Sequence, residues 1–274
     1  MARRDGLLSR NDGHAEWLRL QEAVWRERSA DYGRLDWVRK QDFIDRMVDF
    51  CEPEADWMAL DVGTGPGIIA AAVRAFTRRV VGVDLAPEMT EAAKARHGDV
   101  PGLSFAVGNI EDLEFADNTF DLVTARMVFH HVADVFRGAG EVWRALKPGG
   151  RFVLCEGVPP DHLTRARYEE IFALKEKRHT FSEADLINLF DHAGFEDILV
   201  KPFFMRQVSL NNWLANGALE QEAIDEITRL HVQADDHFKR VYRLNQRDGD
   251  VFMDWKFIFV RGTKPANLRP EGVR

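Results

Sequence analysis

Cysteine is scarce. Among 274 residues only Cys51 and Cys155 occur, too few for a disulfide framework or a thiolate metal cage, and both are expected to be reduced and structural. Long apolar runs are missing too. The longest nearly unbroken one, Gly67 to Val73, falls far short of the roughly 20 residues that cross a bilayer. The Arg3-Arg4 start leads into only Leu7-Leu8 before polarity returns, so a cytoplasmic chain with no signal peptide and no membrane partner is expected. No basic block stands out: 37 Lys and Arg face 45 Asp and Glu, a net charge of -8, which disfavours a protein that tracks nucleic-acid phosphates. Internal repeats and low-complexity tracts are absent as well. What is present, 45% hydrophobic and 30% charged residues, fits one large domain, or one domain with a smaller elaboration.

Apolar positions at Trp17, Leu18, Val24, Trp25, Trp37, Val38, Phe43, Ile44, Met47 and Val48 are spaced for amphipathic helices broken near Asp31 to Gly33. From Trp57 the pattern changes. Short strands at 57–62, 80–84, 103–107, 120–125 and 151–156 alternate with helices at about 66–76, 87–97 and 134–146. Pro66 and Pro87 stand where a first-turn proline is tolerated, and Lys147-Pro148-Gly149-Gly150 reads as a stop. This alternation argues for a doubly wound α/β fold: a mostly parallel sheet with helices on both faces. A helix at roughly 163–177 follows Pro159-Pro160. Ser182-Glu183-Ala184-Asp185 has the form of a capping box opening the next helix, and a strand spans about 198–208. Ile224, Ile227, Leu230, Ala234, Phe238 and Val241 step by three or four through a helical 210–244, before a last strand at 252–260 and a polar tail.

The sharpest signal is Asp61-Val62-Gly63-Thr64-Gly65-Pro66-Gly67 between a strand and a helix, where glycines let a backbone approach a ligand closely. A dinucleotide loop spaces its glycines G-x-G-x-x-G and rests a pyrophosphate on the helix N-terminus. Here they stand at every second position, and Asp61 would set a carboxylate beside any phosphate. That suits a ligand with an ammonium group and no phosphate. Asp84 ends the next strand, where an acid in this architecture accepts both hydroxyls of a ribose. A phosphate-free nucleoside with an amino-acid tail describes S-adenosyl-L-methionine.

On these residues the chain resembles the class I S-adenosylmethionine-dependent methyltransferases, over about residues 57–160. Asp84-Leu85-Ala86-Pro87-Glu88-Met89 is similar to the family's acid and helix start, and Gly108-Asn109-Ile110-Glu111-Asp112 to its segment after the third strand. The family usually carries Asp where Asn109 stands. Asn109 can still offer its carbonyl to the adenine amino group, and Ile110 could pack on the ring. Phe120 to Arg126 with Phe129-His130-His131-Val132, and Glu141 to Gly150, resemble the ubiquinone/menaquinone C-methyltransferase-like (methyltransferase type 11) branch.

The resemblance implies a Rossmann-like seven-stranded core at 51–209, completed by a final strand at 249–264. It implies an N-terminal helical lid at 1–50, an acceptor lid at 210–248 and a tail at 265–274. It implies S-adenosyl-L-methionine held by Tyr32, Asp61, Gly63, Thr64, Gly65, Gly67, Asp84, Leu85, Met89, Asn109, Ile110, Glu111 and Arg126, with S-adenosyl-L-homocysteine as product. His131 is the candidate base, although a paired histidine there also serves as packing or cofactor wall. Cys155 and Glu156 fall at the carboxyl end of the fifth strand, the edge where ligands bind. His231, Asp235 and His237 invite a metal reading, but residues two apart do not share a helical face, so no metal is expected. The expected partner is a small organic acceptor methylated on oxygen, carbon or nitrogen, with a flat or apolar body suggested by Trp17, Trp25, Trp37, Phe203, Phe204, Trp213 and Phe238; homodimer formation stays open. Arg126-Met127-Val128-Phe129 lacks the Asn/Asp-Pro-Pro-aromatic element used on exocyclic base amines. Two other functions remain: a protein that binds S-adenosylmethionine without transferring methyl, as scaffold or pericyclic catalyst, and a nicotinamide-dependent oxidoreductase, against which the glycine spacing and Asp61 speak.

Overall fold

The computed structural model describes residues 5–215 and 219–266. β1 (Met58–Val62), β2 (Arg79–Asp84), β3 (Leu103–Val107), β4 (Phe120–Arg126), β5 (Leu146–Val158), β6 (Glu196–Ser209), β7 (Asn245–Arg247) and β8 (Asp250–Thr263) form one sheet. Its order is β3-β2-β1-β4-β5-β8-β6, with β7 paired to β8. The first five strands pair in parallel, and β8 runs antiparallel between β5 and β6. β1 and β4 lie at the centre and are buried on both faces, which is why Ala59-Leu60-Asp61-Val62 and Leu122-Val123-Thr124-Ala125 do not alternate apolar with charged residues.

Helices cover both faces, as parallel crossovers require. One face packs α2 (Gln41–Cys51) and α3 (Ile68–Arg74) through Phe43, Met47, Ile69 and Val73. The other packs α5 (Val135–Ala145) and α7 (Glu183–His192) through Val142, Phe152 and Phe190, whose two phenyl rings stack at 4.8 Å. α4 (Pro87–His97) begins with its proline where no amide partner is needed. α7 carries the expected capping box, with the Asp185 N–H donating to Ser182 Oγ and the Asp185 carboxylate accepting from the Ser182 N–H. α1 (Asp5–Tyr32) lies across the carboxyl ends of the strands, tied there by Trp17 Nε1, which donates to the His131 carbonyl at 2.7 Å. α2 belongs to the sheet's packing, so the two halves of the expected 1–50 lid have different places.

Several details differ from the sequence reading. Pro66 lies in the turn ahead of Gly67, the N-cap of α3, and not inside the helix. Lys147-Pro148-Gly149-Gly150 does not separate helix from strand: β5 starts at Leu146, directly after α5. The β4–β5 register then jumps from Phe120↔Leu146 to Leu122↔Arg151, so these four residues bulge out of the pairing, with Gly149 at φ +82°. The 210–244 segment divides into α8 (Leu210–Leu214), α9 (Gln221–Val232) and α10 (Asp236–Val241). β7 escaped the sequence reading. Asp248 and Gly249, both at positive φ, turn it back onto β8 as a two-residue hairpin. β8 runs on to Thr263, and residues 267–274 of the expected tail lie outside the described residues. Among the described residues, no helix is long and apolar enough to cross a membrane.

Candidate active site

The sheet order reverses between β1 and β4, and the loop after β1 opens into the crevice at that switch point, where ligands bind in open α/β sheets. Gly63, Gly65 and Gly67 all take positive φ, at +60°, +51° and +77°. Their surroundings separate them. A Cβ at Gly63 would stand 1.7 Å from Val128 Cγ2, and one at Gly67 2.8 Å from the Phe105 ring, whereas at Gly65 the nearest atom is Tyr32 Cε1 at 3.9 Å. Two glycines therefore serve the packing of the loop, and Gly65 faces open space.

Two carboxylates brace this loop. Asp61 accepts from Thr64 Oγ1 at 2.7 Å and Thr124 Oγ1 at 2.6 Å; its burial raises its pKa against these bonds. Asp84 accepts the Gly65 N–H at 2.8 Å and the Ala86 N–H at 3.0 Å, and burial pushes its carboxyl up to about 6. A cavity opens in front of Asp84. Tyr32, Gly63, Gly65, Asp84, Leu85, Met89, Asn109, Ile110, Glu111, Arg126 and His131 line it. Asp61 and Thr64 line a smaller adjoining cavity that shares Tyr32 and Arg126. Gly67 lines neither. Asn109 does not leave its carbonyl free: Oδ1 accepts the Glu111 N–H at 3.0 Å, so any adenine contact would use its remaining lone pair. Arg126 Nη1 donates to the Val38 carbonyl at 2.9 Å.

His131 closes the cavity from a single 3₁₀ turn, Phe129–His131. Neither ring nitrogen has a hydrogen-bond partner, burial holds the imidazole well below its ordinary pKa, and the ring meets Trp25 edge-on at 5.1 Å. It is a neutral, unpartnered base. Behind it His130 Nδ1 lies 2.5 Å from Glu156 Oε2, while Glu156 Oε1 accepts the Val128 and His130 N–H groups. Burial pushes Glu156 up to about 7. Cys155 is buried with its thiol pKa raised, a packing residue.

The sequence reading missed a buried charge cluster. Glu176, 4.0 Å from His131 Nε2, accepts from Arg28 Nη1 at 2.5 Å and from Lys175 and Arg178 at 3.4 Å. Arg28 and Glu176 are 148 positions apart, so no local motif could announce them. His130, His131 and Glu176 hold ligand-type atoms within 4.8 Å of one another, but three cations on Glu176 repel any metal ion. The His231, Asp235 and His237 set is dispersed: His231 bonds Ile227, Asp235 caps α10, and His237 meets Asp161.

A second cavity lies between β5, β8, the insertion and α6 (Arg165–Lys175), and shares Met127 with the first. Phe172, Trp213, Phe238, Trp255 and Phe257 make its walls aromatic. Of the aromatic residues expected over the acceptor, Trp213 and Phe238 line this cavity and Trp25 the first. Trp37 and Phe203 pack in or against the core, and Phe204 is exposed.

Comparison with known proteins bears on the family and the fold. A family model described as a methyltransferase domain matches residues 60–154. The uncharacterized protein YafE of Escherichia coli is 30% identical over 196 residues, 68% of this chain and 91% of that one. The ubiquinone/menaquinone biosynthesis C-methyltransferase UbiE of Desulfotalea psychrophila is 34% identical over 175 residues, 56% and 71% of the two chains. The crystal structure of Bacillus subtilis YcgJ shares the fold with a TM-score of 0.71 at 24% identity, covering 82% of this chain and 98% of that one. The chain belongs to the class I S-adenosylmethionine-dependent methyltransferases.

Proposed function

We propose that the protein methylates an oxygen, carbon or nitrogen of a small organic molecule with an apolar, ring-bearing body, and that this acceptor occupies the aromatic cavity. The observation that carries this reading is Met127, shared by a cavity framed by the glycine loop and Asp84 and one walled by aromatic rings. The first cavity fits S-adenosyl-L-methionine: Gly65 leaves room at the loop, Asp84 presents a carboxylate, and Leu85, Met89 and Ile110 give apolar walls for a purine. In this reading Asp84 takes the ribose hydroxyls. Arg126 and Tyr32, with Asp61 and Thr64 behind the loop, surround the amino-acid end in the smaller cavity.

The bound cofactor supplies an electrophilic methyl group. The chain's own residues then align a nucleophile, keep water out and take up a proton where one is released. Trp25 of α1 and His131 both line the first cavity; His131 is neutral, and its buried, unpartnered ring nitrogens would have to be uncovered to accept that proton. The acidic balance of the chain and the aromatic lining of the second cavity support a small acceptor over a nucleic acid.

Calorimetric titration with S-adenosyl-L-methionine, S-adenosyl-L-homocysteine and NAD in parallel tests the cofactor assignment. Binding of both adenosyl ligands and not NAD is expected, followed by S-adenosyl-L-homocysteine release in a screen of aromatic and other apolar acceptors. Binding of NAD alone would overturn the reading. Tight cofactor binding with no turnover on any acceptor would point to a protein that holds the cofactor without transferring its methyl group.

A further inference from the structure

An imidazole nitrogen on the wall of the aromatic cavity has no partner among the described residues. His231 stands on α9, its Nδ1 2.8 Å from the carbonyl oxygen of Ile227 one turn earlier. A carbonyl only accepts, so Nδ1 carries the proton and Nε2 keeps its lone pair. Burial pushes the imidazole down to about 4, which keeps that tautomer neutral. Trp213 and Phe238 meet the ring nearly edge-on, at 6.5 and 6.0 Å, and hold its plane. Among the described residues Nε2 has no hydrogen-bond partner, and unlike the nitrogens of His131 it is not sealed off. His231 lines the cavity, and with Nδ1 turned to its own helix Nε2 is the ring nitrogen left for a ligand.

Two other polar groups on this wall are occupied, while the Tyr242 hydroxyl and the Trp213 and Trp255 N–H groups also line it. The Tyr168 hydroxyl donates to the Gly157 carbonyl at 3.1 Å, and Lys256 Nζ donates to the Pro160 carbonyl at 3.3 Å. His231 Nε2 is therefore an acceptor-only atom set among Phe172, Trp213, Phe238 and Phe257. A ligand with no donor would cover this nitrogen and strip it of water without replacing the lost bond, the arrangement that discriminates most strongly between related molecules.

We propose that His231 is a specificity-determining residue: it selects acceptors that carry an O–H or N–H group on their apolar, ring-bearing body by accepting that proton at Nε2. This rests on the reading of the aromatic cavity as the acceptor site, and it adds a chemical requirement to it. The hydroxyl or amine that His231 holds is an anchor and need not be the atom methylated.

The test uses the full chain saturated with S-adenosyl-L-homocysteine and two probes that differ by one hydroxyl, 2-naphthol and naphthalene. Calorimetry should show 2-naphthol binding roughly 10-fold more tightly, the scale of one neutral hydrogen bond whose loss leaves a buried group unpaired. His231→Phe should bind naphthalene as before and lose the preference. Independently of any variant, ¹⁵N spectra of the wild-type histidines should show His231 protonated at Nδ1, with its Nε2 resonance moving on addition of 2-naphthol and not of naphthalene. Equal affinities in the wild-type protein, a preference that survives His231→Phe, no binding of either probe, or an Nε2 protonated in the free protein would each overturn the inference. If S-adenosyl-L-homocysteine itself fails to bind, the cofactor assignment falls, whereas failure confined to the naphthol arm leaves that assignment standing.

Discussion

The two cavities that share Met127 are built by different means. The cofactor side is made largely by main chain and its braces: three glycines at positive φ, a carboxylate holding Gly65 and Ala86 by their N–H groups, and Asn109 turning the segment after β3. The acceptor side is made by side chains gathered from β5, α6, α8, α9, α10 and β8. A backbone site depends on residue types at fixed spacing within one turn, so its sequence is constrained locally. A packed wall depends on volume and polarity, which many residues can supply.

The sharpest way to break this comparison is within the glycine loop itself, where Gly63 and Gly65 share a positive φ and differ in space. Gly63→Val would drive a branched side chain into Val128 and should cost about 3–5 kcal/mol, from overpacking and backbone strain together. Thermal or urea unfolding should show a variant that is barely folded. Gly65→Val meets no such obstacle and should remain folded, somewhat destabilised, while its side chain occupies the cavity. Its affinity for S-adenosyl-L-homocysteine should fall by more than roughly 100-fold, by the same reasoning that makes this glycine a close-approach position. Equal damage to folding in the two variants would mean that Gly65 is a packing glycine as well.

On the wall of the first cavity, His131→Ala should lower kcat for an oxygen or nitrogen acceptor by 10²–10⁴-fold, on the scale of general-base catalysis, while cofactor affinity changes little. An unchanged kcat would reduce His131 to a wall of the cavity. The wild-type rate should hold near neutral pH, since burial keeps this imidazole unprotonated there.

Asp84 distinguishes the sides by charge. Asp84→Ala should weaken cofactor binding about 10- to 150-fold, the worth of one to two charge-assisted hydrogen bonds. The wild-type protein should also bind S-adenosyl-L-homocysteine less well as pH falls through about 6, because only the ionised carboxylate accepts both hydroxyls. The stability of the free protein runs the other way. A carboxyl raised from 3.8 to about 6 on folding holds a proton that the unfolded chain has released, so its contribution to stability declines as pH rises across that interval. Calorimetry at pH 5 and 8 on wild-type protein and Asp84→Asn reads both signs, and a pH-independent wild-type affinity would remove Asp84 from the ribose.

The same contrast explains what the sequence disclosed. The helix at 87–97 and the strand at 103–107 have the expected bounds to the residue, since Pro87 starts one and a short apolar run makes the other. The glycine loop and Asp84 were legible for the reason already given. Glu176 was not, because its partners Arg28 and Lys175 come together only when α1 crosses the end of α6. Nor was the bulge at Lys147 to Gly150, where a Pro-Gly-Gly signal marks a turn in either case and only the β4 register tells a bulge from a boundary. His231 stood out only in a set that invited a metal reading, because its tautomer depends on the Ile227 carbonyl and its role on a cavity wall shared with distant strands.

The smallest expected effect lies at Asn109, where the chain departs from the family's usual Asp. Its Oδ1 accepts the Glu111 N–H at 3.0 Å, so the side chain already shapes the turn before any ligand arrives. An Asp would keep that bond and keep an oxygen for a purine amino group, and it would lose only the amide's own donors. It would also place a negative charge near Glu111, which is buried and held by the Ala133 N–H. These two consequences oppose each other, strengthening the acceptor while crowding like charges. Asn109→Asp should therefore change S-adenosyl-L-homocysteine affinity by no more than about 3-fold, within roughly 0.7 kcal/mol. A gain beyond 10-fold would show that the position acts on the purine directly, and that the turn is secondary. A loss of that size would show that the neutral amide is required beside Glu111, making Asn109 part of a local charge balance that the spacing of the motif alone does not reveal.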